Sequence, residues 1–450
     1  MSNLPPNRTT VGFSADGRHA AWLATDITGR ARVEGWTLSP HGPRRTFQHP
    51  AAGVAPDAYA VGVRADQVLF AWLRHGERQL RLLSPTGVLA AESAPALQAV
   101  LPAPAGHGLA IGLTSTADGG TAIYRIADDL TGAGPGCEPM VRSPLRLYTP
   151  ILAGERVVFY ARVGTRVLPV IFDPQAATVN PLALPAQAGD AVPVCAAGDQ
   201  VVLGLSTEGR NRLAVVTLSQ PNQLDLLDGA AALVGRVRPL ALRPDGAELA
   251  LRVRHGARSR LLLYRRETGH TREIDVPPGT PEQAAAWTDA GLWGVFSATA
   301  APAALWWLPP GGQSLLPPPR LPLGRSAHVE SLPGPAGPIE AVVYGDWRTA
   351  KRVVLALHGG PAEHWQLRFD PKLQALAAGA AVVAPNQRGS TGYGREHELA
   401  IKGAWGGPDL ADILAIGAHL AKVREESAHL PSRYGVSYGA FLALLAMAVE

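Results

Sequence analysis

The sequence predicts an all-β seven-bladed propeller followed by the first half of a doubly wound α/β domain. Three observations carry that prediction. A strand–turn–strand phrase recurs seven times before residue 310, a Pro- and Gly-rich run interrupts it, and short apolar runs then alternate with helix-like segments. The boundaries fall at 1–310 for the propeller, 311–325 for the linker and 326–450 for the α/β part.

The repeated phrase is a short apolar strand, a tight turn with Gly or Asp, and a second apolar or alternating strand. It occupies 11–24, 60–73, 100–113, 150–161, 192–205, 239–253 and 284–297. Intervals of about 40 to 50 residues are those of propeller blades. A further strand follows each copy, at 31–38, 79–83, 121–126, 166–172, 212–218, 260–264 and 303–308. Pairs such as Asp245-Gly246 supply the positive φ that a two-residue hairpin needs. Four-stranded blades bury both faces against neighbours, which explains the near absence of helical periodicity. Two stacked β-sandwiches are the alternative, and even spacing argues against them. Arg252, Arg254, Arg258 and Arg260, at strand ends, read as a solvated face.

Composition bounds the function. A chain of 450 residues has room for two or three cores. A net charge of +4 is too small at this length to suggest a nucleic-acid partner. Cys137 and Cys195 form neither a metal spacing nor a disulfide framework, and no metal or organic cofactor is implied. No run reaches the apolar length of a membrane span, and residues 1–30 lack the pattern of a signal peptide. The expectation is a cytoplasmic protein with no membrane partner; the oligomeric state is left open.

Beyond the linker, 328–332 and 339–344 read as a hairpin, and 352–357 and 380–384 as parallel strands joined through a helix near 372–378. An amphipathic helix is expected over Pro408–Val423, with Leu410, Ile413, Leu414, Ile416 and Leu420 inward. The chain then closes on Gly435-Val436-Ser437-Tyr438-Gly439, a G-x-S-x-G pattern. That spacing marks a strand turning sharply into a helix with the serine oxygen projecting from the bend. The following helix, with Phe441, Leu442, Leu444, Leu445 and Met447, is apolar nearly all round and is expected to be buried.

Three more motifs precede it in order. His358-Gly359-Gly360-Pro361 follows one strand, Asn386-Gln387-Arg388-Gly389-Ser390-Thr391-Gly392-Tyr393-Gly394 follows the next, and Trp405-Gly406-Gly407 opens a helix. A His-Gly-Gly loop after a strand lets backbone N–H groups approach a developing oxyanion, and the N–H of Tyr438 would supply a second donor. His358 reads as a side chain bracing its loop rather than as a base. Arg388 reads as an ion-pair partner of Asp409 or Asp412, with substrate contact as the alternative.

Together these motifs resemble the prolyl oligopeptidase family of serine peptidases, particularly its acylaminoacyl-peptidase-like branch. The matching stretches are His358–Pro361, Asn386–Gly394, Trp405–Asp412 and Gly435–Gly439. The resemblance implies a propeller joined to an α/β-hydrolase domain, Ser437 as nucleophile, Gly359 and Tyr438 as oxyanion donors, and short peptides as substrates. His358, Gly360 and Arg388 would shape the loops around substrate. An ester- or amide-cleaving enzyme, and an inactive propeller used for binding, are the alternatives.

Two departures stand out. Ala440 occupies a position where the family commonly has glycine. The family's triad order is Ser, then Asp or Glu, then His, and the thirteen residues after Ser437 contain neither Asp nor His. The expectation is a chain cut short after the serine turn, with His364, His397, His419 and His429 poorly placed to act as base.

Overall fold

A computed structural model describes residues 7–449, apart from 15, 26–30, 52–59, 65–66, 75–76, 94–96, 98, 105–106, 109, 127–136, 208–209, 315–323 and 425–430. It forms a β-propeller followed by a mixed α/β unit. Six four-stranded sheets, each a simple antiparallel meander, cover 7–51, 60–93, 99–143, 148–181, 190–226 and 236–274. A three-stranded sheet covers 279–308.

Each described sheet presents apolar side chains to its neighbours. Leu203, Leu205 and Val216 pack on the sheet before them, whereas Val202 and Val215 pack with Leu249 and Leu251 of the sheet after. The ring closes through tryptophans. Trp22 and Leu38 of the first sheet share a core with Trp293, Leu305 and Trp307 of the last, and the rings of Trp293 and Trp307 stack at 5.3 Å. The indole of Trp22 donates to the buried carboxylate of Glu34 at 2.6 Å. The turns use glycine where φ must be positive, as at Gly246 (+73°) between the first two strands of the 236–274 sheet.

The expected strands appear at the expected places, but each four-stranded sheet also has an outer strand that the sequence did not mark. Gln220–Leu226 and Thr178–Pro181 are largely exposed and lack apolar alternation. The reading of Arg252 and Arg254 as a solvated face is corrected. Both are only partly exposed, because they stand opposite Arg238 and Arg236 in the adjoining strand, near the α/β unit. The linker expected at 311–325 falls mostly outside the described residues; its start at Gln313 and Ser314 lies against Asp275.

The α/β unit holds five strands: β1 (Ala327–Leu332), β2 (Ile339–Tyr344), β3 (Val353–Leu357), β4 (Ala381–Pro385) and β5 (Ser432–Gly435). Their spatial order is β1-β2-β4-β3-β5. β1, β2 and β4 pair antiparallel, whereas β3 is parallel to both β4 and β5. Parallel pairing requires crossovers, and helices supply them. α1 (Pro371–Ala377) joins β3 to β4, α2 (Arg395–Leu399) and α3 (Pro408–Val423) lie between β4 and β5, and α4 (Tyr438–Val449) follows β5. Asp370 caps α1 by accepting from the N–H groups of Lys372 and Leu373, with Pro371 in the first turn where no N–H is needed. Side-chain alternation divides the sheet. Val343, Leu355 and Val383 meet Ile413, Ile416, Leu420 and Leu442 on one face, and Val342, Ala356 and Val382 meet Leu373 and Ala377 on the other.

α4 departs from expectation. Leu442 and Ala446 are buried, but Leu444 and Met447 are 67% and 65% exposed. The helix rests on β3, β5 and α3 with one face, and no described element covers the other. Among the described strands β5 lies at the sheet edge, with the sequence Ser-Arg-Tyr-Gly. No described helix is long and apolar enough to cross a membrane.

The two parts are joined by the turn after His255. Gly256 N–H donates to the carbonyl of Gly392, Ala257 N–H to Glu340 Oε2, and Leu367 N–H to the carbonyl of Ala257. Gly256 has φ +58°, and a Cβ there would stand 2.4 Å from Glu340 Oε2 and 2.8 Å from the Tyr393 ring. Gly256→Val is therefore expected to cost about 2 kcal/mol or more through strain and lost docking. Urea unfolding checks this, and a loss below about 0.5 kcal/mol would contradict the tight fit.

Candidate active site

Ser437 sits in the bend between β5 and α4 with φ +52°, a left-handed conformation that non-glycine residues seldom adopt. The flanking glycines permit it. A Cβ at Gly435 would lie 2.3 Å from the backbone of Gly439, and one at Gly439 would lie 2.3 Å from the carbonyl oxygen of Leu357. No side chain fits at either position, so α4 can press directly onto the end of β3. The Ser437 side chain is left exposed.

The His-Gly-Gly loop lies against this bend. A Cβ on Gly359 would stand 3.4 Å from the Ser437 Cβ and 3.1 Å from the Val436 carbonyl oxygen. Neither the Gly359 N–H nor the Tyr438 N–H has an acceptor among the described residues. Two unoccupied backbone donors thus flank one hydroxyl. Gly360 adopts φ +116°, and its Cβ would crowd the nitrogens of Ala362 and Glu363.

His358 is buried and braces this loop. Its Nδ1 lies 2.8 Å from the Gly359 carbonyl oxygen and its Nε2 lies 2.8 Å from Ser390 Oγ. Burial pushes the imidazole below its ordinary range, and Ser390 Oγ in turn donates to the Gln387 carbonyl at 2.6 Å. Ser390 is itself fully buried.

Arg388 reaches α3. Its Nε and Nη2 bind Asp412 Oδ1 at 3.0 and 2.6 Å, its backbone N–H donates to Asp412 Oδ2, and Nη2 also donates to the Pro408 carbonyl. Of the two partners named from sequence, Asp412 is the one used. The other, Asp409, is fully buried and accepts from the Tyr438 hydroxyl. Burial, and then this carboxylate, hold that hydroxyl well above its ordinary range. Trp405 packs edge-on against the Tyr438 ring. Sequence reasoning had not linked Asp409 to Tyr438, although Trp405, Asp409 and Tyr438 all lie within the motifs it singled out.

Ser437 Oγ makes no side-chain hydrogen bond among the described residues. The described candidate histidines are engaged elsewhere. His364 Nδ1 bonds Thr391 Oγ1, His397 Nε2 bonds the Gln387 carbonyl, and His419 packs against Trp347. His429 lies outside the described residues. Among the described residues no group of three metal-ligating side chains assembles.

A cleft of about 290 Å³ beside the serine bend is lined by His358, Gly359 and Val436 together with Glu363, His364 and Arg368. His364, which the sequence offers as a substitute base, is a wall of this cleft. Burial, then the guanidinium of Arg254 and the His358 ring, press its imidazole down to about 3.

Two outcomes follow from these contacts. Arg388→Ala leaves Asp412 as a buried, unpaired carboxylate and is expected to destabilise the α/β unit by about 3 kcal/mol in urea unfolding; Arg388→Lys, which keeps the charge but loses the fork, should lose less. Because His364 is neutral when folded and titrates near its ordinary value when unfolded, the unfolded chain binds more protons below about pH 6.5. Stability should therefore fall with acidification by about 1.4 kcal/mol per pH unit for that group, through the window down to about 3. A stability–pH slope below pH 6 that His364→Gln leaves unchanged would contradict this.

The comparisons agree with the motif reading. Residues 367–450 match the model of the prolyl oligopeptidase family. An uncharacterized peptidase, YuxL, of Bacillus subtilis is 38% identical over 99 residues, which are 21% of this chain and 15% of that protein. Dipeptidyl-peptidase 5 of Aspergillus fumigatus is 36% identical over 98 residues, 20% of this chain and 13% of its own length. The matched stretch thus spans less than a sixth of either relative. In fold, the chain is similar to the acylaminoacyl peptidase of Pyrococcus horikoshii, with TM-score 0.70, 13% identity and coverage of 99% of this chain and 76% of that one. A puromycin-hydrolyzing peptidase of Mycobacterium tuberculosis gives TM-score 0.67 at 16% identity, covering 98% of this chain and 76% of its own. The segment that carries the serine bend is thus the part of the chain that matches the prolyl oligopeptidase family by sequence.

Proposed function

We propose that this chain is part of a serine-type peptidase that cleaves short peptides through an acyl-enzyme at Ser437. The observation that supports this best is the meeting of a left-handed serine with two unoccupied backbone donors, Gly359 and Tyr438. In this reading the bend is a nucleophile elbow. Ser437 Oγ attacks the peptide carbonyl, the carbon becomes tetrahedral, and the two N–H groups hold the oxygen that gains the charge. The amine leaves with a proton, and water then releases the acyl group. His358 positions Gly359, and Arg388 positions α3 and through it Tyr438; neither touches the reacting atoms.

A serine hydroxyl needs a base at neutral pH. Since His364, His397 and His419 are engaged elsewhere, the proposal calls for a histidine and a carboxylate partner that these described candidates do not supply. The same reading takes 1–310 as a seven-bladed propeller, with the sheet at 279–308 as a three-stranded seventh blade, 311–325 as linker and 326–450 as part of an α/β-hydrolase domain. Peptidase names among the relatives favour peptides over small esters as substrates.

The test is covalent labelling by a fluorophosphonate in the full-length protein, with mass spectrometry of the modified peptide. Ser437 is expected to carry the label and Ser437→Ala to lose it, along with peptide turnover. Gly359→Ala, whose methyl would crowd the Val436 carbonyl, should lower kcat by up to about 10² with little change in KM. A full-length protein that folds but neither labels nor cleaves would leave binding by the propeller as its function.

A further inference from the structure

The strands Arg236–Leu242 and Glu248–His255 set four arginines against one another. Their register places Arg236 opposite Arg254 and Arg238 opposite Arg252. Residues directly opposite in an antiparallel pair share one face, with Cβ atoms about 5 Å apart. Like charges in that position destabilise a sheet. None of the four has a carboxylate within ion-pair distance among the described residues. Arg252 Nη1 donates to the Pro281 carbonyl at 2.8 Å, while Arg254 Nε is buried with no acceptor. Burial first, and the neighbouring guanidinium groups next, push Arg254 below its ordinary range; Arg238 and Arg252 are lowered too, burial again leading. Glu282 offsets this at Arg252 and Glu363 at Arg254, both from beyond ion-pair distance.

The cluster lies beside the joint with the α/β unit. The turn at Gly256 immediately follows it and docks on the α/β unit. Arg254 and Arg236 both act on His364, and Glu363 and His364 wall the cleft that reaches Gly359 and Val436 beside Ser437. Positive charge is thus concentrated and partly desolvated near the Glu363 and His364 wall of that cleft, with Arg254 Nε left as an unused buried donor. A group brought there must be anionic to be held, and guanidinium forks match a carboxylate two bonds at a time.

We propose that Arg236, Arg238, Arg252 and Arg254 form a subsite for a carboxylate of the peptide bound at Ser437. The identity of the occupant rests on the peptidase reading; the anion preference of the site does not. The carboxylate can come from the peptide's C-terminus or from an acidic side chain, and binding experiments separate the two.

The test uses the full-length protein carrying Ser437→Ala, so that nothing is cleaved, and calorimetric titration with three matched pentapeptides. One has a free C-terminal acid and no acidic side chain, the second is its C-terminal amide, and the third is that amide with one internal Asp. At least one carboxylate form should bind tenfold or more tightly than the neutral amide, and raising NaCl from 0.05 to 0.5 M should weaken that form alone. Arg254→Gln and Arg252→Gln should each abolish the difference, and Arg254→Lys should restore part of it. Preference for the first peptide assigns the site to a C-terminus, and preference for the third to a side chain. Equal binding of all three, or a preference that survives both glutamine variants, overturns the proposal. Should one variant fail to fold, the other and the salt series still decide. Turnover by the unsubstituted protein is read separately. Cleavage without anion preference removes the subsite and spares the peptidase reading; anion preference without labelling or cleavage does the reverse.

Discussion

The contact on which the site depends is the approach of α4 to the carbonyl end of β3. The Leu357 oxygen stands where a side chain on Gly439 would begin, and Gly435 is crowded by the same helix from the other side. Only with both positions bare can the chain reverse within a few residues and leave Ser437 at the crest of the bend. The rest follows from that closeness. Gly359 reaches the serine because its strand ends beneath the helix, and His358 is buried because it must hold the Gly359 carbonyl from below. Tyr438 is secured from a third side by Asp409 on α3, which Arg388 holds in place through Asp412. Glycine at two positions thus converts a strand–helix junction into a surface that several elements can share.

Much of this was legible in the chain. Glycine spacing around Ser437 states its own geometry, because no other residue fits there. The bounds of α3 were readable because Pro408 starts it and its apolar positions follow one stripe. The inner strands of the propeller were readable because they are apolar and their turns need Gly or Asp. Their outer partners were not, since strands such as Gln220–Leu226 carry little burial and so no pattern. α2 was missed for the same reason: none of its residues is buried.

Other features depended on facts that no single stretch contains. Whether α4 is covered on all sides is decided by elements elsewhere, and its composition could not reveal that Phe441, Leu444 and Met447 face outward. The arginines at 252 and 254 looked like surface residues because nothing in their own strand announces Arg238 and Arg236 across from them; a shift of one residue in that pairing would have separated them. Arg388 had two plausible carboxylates one helical turn apart, and only the docking of α3 selects between them.

Among the described residues the seam between propeller and α/β unit is lopsided. Its described hydrogen bonds arise from the sheets at 236–274 and 279–308. Thr280 Oγ1 donates to the Leu367 carbonyl, Ser297 Oγ accepts from Phe369 N–H, and the Thr299 carbonyl accepts from Gln374 Nε2, beside the backbone bonds of Gly256 and Ala257. A joint fastened along one side behaves as a hinge. Rocking of one part on the other would keep these bonds as its axis and open widest over the opposite arc of the ring.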